Sequence, residues 1–416
     1  MKRIPILLIL CAFIYACETP DPVPEDDFPS VDVPPVDPPE DKLFEPIELT
    51  EAEEEISVGI NDLGFSIFHQ NLSQDKDYLL SPLSASVALA IASDGAGGNT
   101  RGQIIEALGF KDKPVEVIND FYLKMLESLC NADNRVKLAI ANSAWNDKKF
   151  LLKQDYLTKL ESVYSASVNC VDFSDPETID IINEWCANHT NNKIVRFIEN
   201  LDPTCKLMLL NALYFQGSWT AEFEEPSEEL YTHSDGTTSF ENMLAGNFNL
   251  RYSESPYFKC VEIPYGNGAF TMNLLLPLYG DTPDPWAEFT EDAVCGLFEE
   301  MSYHKVDIKF PCFNINAKYN LNESLKQLGI VDAFDAKYAD FSGMSDSPLY
   351  LQSLQQAVYI NVDQKGTEAA AVTGNGMCST NIEQQVKYAS FVADRPFVFI
   401  VRESSTGLIL FMGYKS

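Results

Sequence analysis

The residue types that perform nucleophilic, acid–base or metal chemistry occur in this 416-residue chain without the spacings such chemistry needs. Four histidines are present: His69, His189, His233 and His304. None lies in a His-Glu-x-x-His pair, and the chain has neither a Gly-x-Ser-x-Gly elbow nor a glycine-rich phosphate loop. A serine or cysteine nucleophile depends on a base held beside it. No spacing here favours that meeting, so catalysis, a metal and an organic cofactor are all unexpected. Eight cysteines follow Cys17: Cys130, Cys170, Cys186, Cys205, Cys260, Cys295, Cys312 and Cys378. With no Cys-x-x-Cys pair and no even spacing, most read as small buried hydrophobes. An exported chain is free to form disulfides, but one sequence does not give their pairing.

A different chemistry is open to the run Gly366, Thr367, Glu368, Ala369, Ala370, Ala371, Val372 and Thr373, which contains no bulky residue. Triple alanine suits a helix, and a plain strand is also possible. If the run enters a sheet as a new strand, alternation puts Thr367, Ala369, Ala371 and Thr373 on one face and Glu368, Ala370 and Val372 on the other. The first set is small enough to pass over a packed core.

The formal net charge of −33 repels phosphate backbones, which argues against nucleic acid and favours a cationic partner. Lys2 and Arg3 precede the apolar run Ile4 to Tyr15, which is too short to span a bilayer and has the layout of an export signal. Its end, Ile14-Tyr15-Ala16-Cys17, resembles the lipobox of bacterial lipoproteins. That resemblance implies a signal peptide over 1–16, cleavage before Cys17 and acylation of Cys17. The protein is then exported and held in the bacterial cell envelope, exposed at its surface, with the lipid as its only membrane contact; plain secretion after an ordinary cleaved signal is the alternative. Residues 17–45, rich in Pro, Asp and Glu, read as an extended, self-repelling tether.

The remaining residues, 46–416, read as one α+β domain. Thr50 and Glu53 form a capping box ahead of Ile56, Ile60, Leu63 and Ile67 at helical spacing. Ser81-Pro82 opens a nearly all-apolar helix closed by Gly95, Gly97 and Gly98. Thr100 and Gln103 read as a second capping box, and Asp175-Pro176 starts a helix carrying Ile179, Ile182 and Trp185. Leu207 to Phe215 suits a strand covered on both faces, whereas residues 306–310 and 358–362 alternate with period two. Residues 397–401 and 408–412 form a closing hairpin. Helices crowd the first half and strands the second.

Many of these stretches, in order along the domain, resemble the serpin family. They are Ser81-Pro-Leu-Ser84, Gly95-Ala-Gly-Gly-Asn-Thr100, Leu138-Ala-Ile-Ala-Asn142, Val171-Asp-Phe173, Asn211-Ala-Leu-Tyr-Phe215 with Gly217 and Trp219, Val261-Glu-Ile-Pro-Tyr265, Asp340-Phe-Ser-Gly343, Gly366-Thr-Glu-Ala-Ala-Ala371 and Asp394-Arg-Pro-Phe397. The resemblance implies a fold of three β-sheets and eight or nine helices, with an exposed reactive loop near the C-terminus. It also implies a monomer that forms a covalent complex with a target protease: the loop is cut, inserts into the main sheet as a new strand, and distorts the acyl-enzyme before water releases it. Residues 366–373 match the hinge of that loop. Ser81, Ser84 and Asn211 match the shutter beneath the opening sheet, and Trp219 matches the breach where the loop enters. Gln356 stands where many members have a shutter histidine.

Family spacing puts the cleaved bond about fourteen residues past Gly366, at Thr380-Asn381, with Met377-Cys378, Cys378-Ser379 and Ser379-Thr380 also open. Lys387 is the only basic residue between Gly374 and Asp394, so the expected targets are elastase-like, subtilisin-like or papain-like rather than trypsin-like. A non-inhibitory serpin-fold binding or carrier protein is the alternative.

Overall fold

The computed structural model describes residues 42–72, 75–279, 284–367 and 386–416. In chain order these form α1 (Glu51–Asn71), β1 (Tyr78–Leu80), α2 (Pro82–Gly95), α3 (Gly98–Ala107), α4 (Val115–Asn131), β2 (Val136–Asp147), α5 (Gln154–Tyr164), β3 (Ser167–Val171), α6 (Glu177–His189), β4 (Leu207–Ser218), β5 (Ser227–Thr232) and β6 (Thr238–Glu254). There follow β7 (Phe258–Tyr265), β8 (Phe270–Pro277), α7 (Glu291–Glu299), β9 (Ser302–Pro311), β10 (Phe313–Asn320), α8 (Asn322–Gln327), β11 (Ser353–Val362), β12 (Gly366–Thr367), β13 (Tyr388–Val392), β14 (Phe397–Glu403) and β15 (Ile409–Lys415).

Hydrogen bonding joins these strands into two sheets. The six-stranded sheet runs β10-β11-β4-β2-β3, with β12 paired to β4. The nine-stranded sheet runs β1-β15-β14-β8-β7-β6-β9-β13, with β5 paired to β6. Its size comes from β6, whose 17 residues pair with β5 at one end, with β7 at the other and with β9 between. Two of the three sheets implied by the family resemblance are therefore continuous through one long strand.

Local signals place the helices. Thr50 and Glu53 close the capping box of α1, and the Ser81 hydroxyl caps α2, whose first residue is Pro82. Nearly every residue of α2 is buried, so it runs through the centre of the molecule, packed against α1, α5, β15 and the six-stranded sheet. The expected Thr100/Gln103 capping box does not form. Instead α3 starts at Gly98, and both side chains serve a distant loop: Thr100 Oγ1 accepts from Asp340 N at 3.0 Å, and Gln103 Oε1 accepts from the amides of Val331 and Asp332.

Strand β4 is covered on both faces, and β2 flanks it along its length. Leu207, Leu209, Leu213 and Phe215 face the main core with α1, α2 and β14–β15; Met208, Leu210, Ala212 and Tyr214 face a second core with Ile182 and Cys186 of α6. Residues 358–362 do not alternate as expected. Only Asn361 is partly exposed, because β11 lies between β10 and β4 with both faces covered. The chain reaches the domain at Lys42, where Asn267 Nδ2 donates to Lys42 O at 3.0 Å and the Lys42 ammonium meets the Asn131 carbonyl.

Under α7 the larger sheet buries an ionic group. Glu262 of β7 accepts from Arg402 Nη2 at 2.7 Å and from Arg251 Nη1 at 3.2 Å. Arg402 also donates to Asn273 Oδ1 at 3.0 Å and lies over the Phe298 ring. Removing Arg402 leaves the buried Glu262 carboxylate with only the partly exposed Arg251 as counter-ion in a poorly solvated site. Arg402→Ala is therefore expected to lower unfolding stability by about 3 kcal/mol in urea titrations, with Glu262→Gln in the same background recovering part of that loss.

Candidate functional site

The six-stranded sheet contains a seam that ends in an open mouth. Strands β11 and β4 run parallel from Ser353↔Met208 to Tyr359↔Tyr214. Past that point they diverge: Ile360 to Val362 pair only with β10, and Phe215 to Gly217 keep their partners on β2. In the mouth stands β12, antiparallel to β4, with Gly366 opposite Ser218 and Thr367 opposite Gly217.

A tight turn aims β12 into the seam. Asp363 N donates to Gly366 O at 2.8 Å, and Lys365 N donates to Asp363 Oδ1 at 2.9 Å. Gly366 has φ +144°, and a Cβ there would run into the Gly217 carbonyl oxygen and Ser218 Cα, so only glycine fits. Trp219, fully buried, fixes this turn from below: its indole N–H donates to Asp363 O at 2.9 Å and its amide to Lys365 O at 2.9 Å. Its ring stacks on Tyr265 with centroids 4.3 Å apart, and the Tyr265 hydroxyl lies 2.8 Å from Thr367 Oγ1. Burial holds the Tyr265 phenol well above its ordinary pKa, so it remains a neutral hydrogen-bonding group.

Three amides lie in register across the sheet below the mouth: Gln356 on β11, Asn211 on β4 and Asn142 on β2. All three are buried, and all are satisfied. Gln356 Oε1 accepts from Ser81 N at 3.0 Å while its Nε2 donates to Ser81 O at 2.8 Å. Asn211 accepts from the Ser84 hydroxyl and donates to Asn142 Oδ1. Asn142 in turn donates to the Tyr164 carbonyl at 3.3 Å. The amides either side of the seam are thus both bonded to the start of α2, Gln356 to its cap Ser81 and Asn211 to Ser84 in its first turn, so β11 and β4 are each held to one helix end.

The structure brings together Ser81, Ser84, Asn211 and Gln356, and it sets Trp219 against Gly366 and Thr367 at the mouth. Cys17, Glu368, Ala369, Ala370, Ala371, Val372 and Thr373 lie outside the described residues, as do Met377, Cys378, Ser379, Thr380 and Asn381. In the sequence, Asn142 and Tyr265 stand out only as members of the longer stretches 138–142 and 261–265. The signal for Asn142 was an amide in a strand otherwise set among apolar residues; for Tyr265, its contact with Thr367 depends on tertiary packing alone.

No pair of described side chains offers a serine nucleophile with an oriented base. His233 Nε2 lies 2.8 Å from Ser239 Oγ, but Ser239 donates its proton to the Glu241 carboxylate, so the imidazole is not placed to take it. Among the described residues no three His, Cys, Asp or Glu side chains converge as metal ligands. The expectation that most cysteines are buried is corrected: Cys186, Cys205 and Cys260 are, whereas Cys130, Cys170 and Cys295 are exposed and Cys312 is half-buried. Cys170 lies on the edge strand β3, and Cys130 lies in the last turn of α4 with its thiol 3.6 Å from Leu138 O. Burial pushes the Cys186 and Cys205 thiols up to about 12, which leaves them unreactive.

Comparison with known proteins agrees with this architecture. The sequence model of the family described as "Serpin (serine protease inhibitor)" matches residues 58–415. A "Serine protease inhibitor" from Cyanea capillata is 32% identical over 353 residues, covering 82% of this chain and 92% of its own. The crystal structure of a thermophilic serpin, tengpin, in the native state superposes with a TM-score of 0.80 at 28% identity, over 90% of this chain and 97% of that one. Human thyroxine-binding globulin, in complex with thyroxine, superposes with a TM-score of 0.79 at 25% identity, over 87% and 98%.

Replacing Gln356 by leucine keeps the volume but leaves the Ser81 amide buried without its acceptor, while the Ser81 carbonyl keeps only its bond from Ala85 N. The expected cost is about 3 kcal/mol of unfolding stability, read from chemical denaturation, whereas Gln356→His, which keeps one donor and one acceptor, loses less.

Proposed function

The chain belongs to the serpin family, and from that premise we propose that it inhibits serine or papain-like cysteine endopeptidases by taking its own cleaved loop into the seam between β4 and β11. The observation that carries this reading is β12, already paired antiparallel with β4 at the mouth of a parallel seam. A strand added there is antiparallel to both neighbours, which replaces one slanted parallel ladder by two antiparallel ones.

The register of β12 gives the added strand its partners. Continued along β4, it sets Ala369 opposite Phe215, Ala371 opposite Leu213 and Thr373 opposite Asn211, so the small side chains face the main core and α2. Glu368, Ala370 and Val372 then face the second core beneath α6. No proline or large residue stands in that path. In the proposed reaction the protease hydroxyl or thiolate adds to the carbonyl of the Thr380-Asn381 bond. The Asn381 amine leaves with a proton, and the acyl-enzyme that remains is carried off as the strand inserts before water reaches it. Uncharged residues at Met377 to Asn381 suit elastase-like, subtilisin-like and papain-like enzymes. Acylation of Cys17 and the acidic tether of residues 17–45 complete the reading as a monomeric inhibitor anchored at a bacterial cell envelope.

The likeness to thyroxine-binding globulin favours a second reading, a serpin-fold binding or carrier protein that is cleaved without trapping its protease. Incubation with elastase, subtilisin and papain separates the two. The inhibitory reading expects a denaturant-stable adduct on gels, a cut near Thr380 by mass spectrometry, and a large rise in melting temperature after cleavage. Clean cleavage with neither adduct nor stabilisation sinks it. Ala371→Arg, which would place a charge opposite Leu213 in the main core, is expected to cut adduct yield by about tenfold or more while cleavage continues.

A further inference from the structure

At the C-terminal end of α2 a carboxylate is buried where the site described above makes no use of it. The Asp94 side chain is only 2% exposed. The Tyr164 hydroxyl on α5 lies 3.0 Å from Asp94 Oδ2 and 3.1 Å from Asn119 Oδ1 on α4, and with one proton to give it donates to the carboxylate. Lys159 Nζ, also on α5, stands 3.5 Å from Oδ1 and is itself partly exposed. Arg101 on α3 adds a weaker attraction. Tyr156 on α5 donates to Ile91 O at 3.0 Å, and Tyr122 on α4 packs against Tyr164, so neither supplies a further donor to Asp94. Burial raises the Asp94 carboxyl above its ordinary range, and Lys159, Tyr164 and Arg101 only partly offset it.

The surroundings of this carboxylate cross the same seam. Helix α2 packs against α1 and β15 and is bonded to β11 through Gln356 at its Ser81 cap; across the seam it also touches β4, where its Ser84 hydroxyl bonds Asn211. Helix α5 joins β2 to β3, and its Tyr164 carbonyl accepts from Asn142 of β2. Strands β4, β2 and β3 are hydrogen-bonded to one another. When that block moves off β11, α5 is carried with it while α2 stays with α1 and β15. The displacement is then absorbed where α2 meets that block: at the Ser84–Asn211 bond to β4, which parts, and between α2 and α5, where Asp94 is buried.

We propose that Asp94 is a positioning residue for strand insertion, its desolvated carboxylate returning to water as α5 shears away from α2 and so favouring an open seam. This rests on the insertion reading above. The direction of its pH dependence follows from linkage. A carboxyl with a raised pKa in the closed sheet and an ordinary one once hydrated binds its proton more tightly in the closed state. Protonation therefore holds the seam shut, and opening becomes easier as pH rises through the raised value.

The test uses the full-length protein in detergent, mixed with a synthetic peptide of residues Thr367 to Thr380. The rate of one-to-one uptake is followed by native mass spectrometry between about pH 4 and 8. The expected rate rises about tenfold through a single titration. Asp94→Asn, which keeps an acceptor for Tyr164, is expected to remain at the slow acid rate throughout. Lys159→Met, which removes the facing cation, is expected to move the midpoint to higher pH. An Asp94→Asn profile that titrates like the wild type, or a flat wild-type profile, overturns the role of Asp94 alone. Absence of uptake at every pH overturns the insertion reading on which it rests.

Discussion

Two neighbouring strands running in the same direction set the conditions for everything else in this molecule. A strand can be antiparallel to both of its neighbours only if those neighbours are parallel to each other. Parallel ladders are ordinarily buried on both faces, and this one is: α2 and the main core lie on one side and α6 with the second core on the other. The ladder also stops short. Beyond Tyr359 and Tyr214 the two backbones separate, and the edge of β4 left bare is the edge that Gly366 and Thr367 occupy.

A purely apolar layer behind such a seam would hold it closed by packing alone, and opening it would expose that packing at once. The row Gln356, Asn211 and Asn142 works differently. Each amide is satisfied from its own side, by the Ser81 backbone, the Ser84 hydroxyl or the neighbouring strand. Buried polar groups are costly only when left unpaired, so the row is stable in the closed sheet; moving β4 off α2 would part the Ser84–Asn211 bond, while Gln356 keeps both of its bonds to Ser81. Trp219 adds rigidity at the other end, fixing the turn that points β12 inward.

Much of this could be read from the chain. The capping box at Thr50, the buried helix opened by Ser81-Pro82 and the doubly covered strand at Leu207 depend on local chemistry or on plain hydrophobic runs, and the structure has all three. Short-range patterns misled where a distant partner decided the outcome. Thr100 and Gln103 had the right spacing for a cap, yet loop amides at 331–340 take their oxygens. Residues 358–362 had the polar punctuation of a half-covered strand, but their place between β10 and β4 buries both faces. The shutter residues were legible only through family resemblance, because no spacing in the sequence says that positions 81, 211 and 356 converge. Asp94 gave no signal: a single aspartate near a helix end is ordinary until α4 and α5 are packed over it.

The place where the chain joins the domain has a mechanical consequence. Lys42 is held by Asn131 and Asn267, and Gly266, next to Asn267, donates its amide to the Ser218 carbonyl at 2.8 Å. Ser218 is the residue opposite Gly366. Tension applied at Lys42 is therefore passed through Asn267, Gly266 and Ser218 to within a few bonds of Gly366, at the mouth of the seam. Lys42 and β12 lie a few hydrogen bonds apart, so in the insertion proposed above a pull from the N-terminal side would bear on β12.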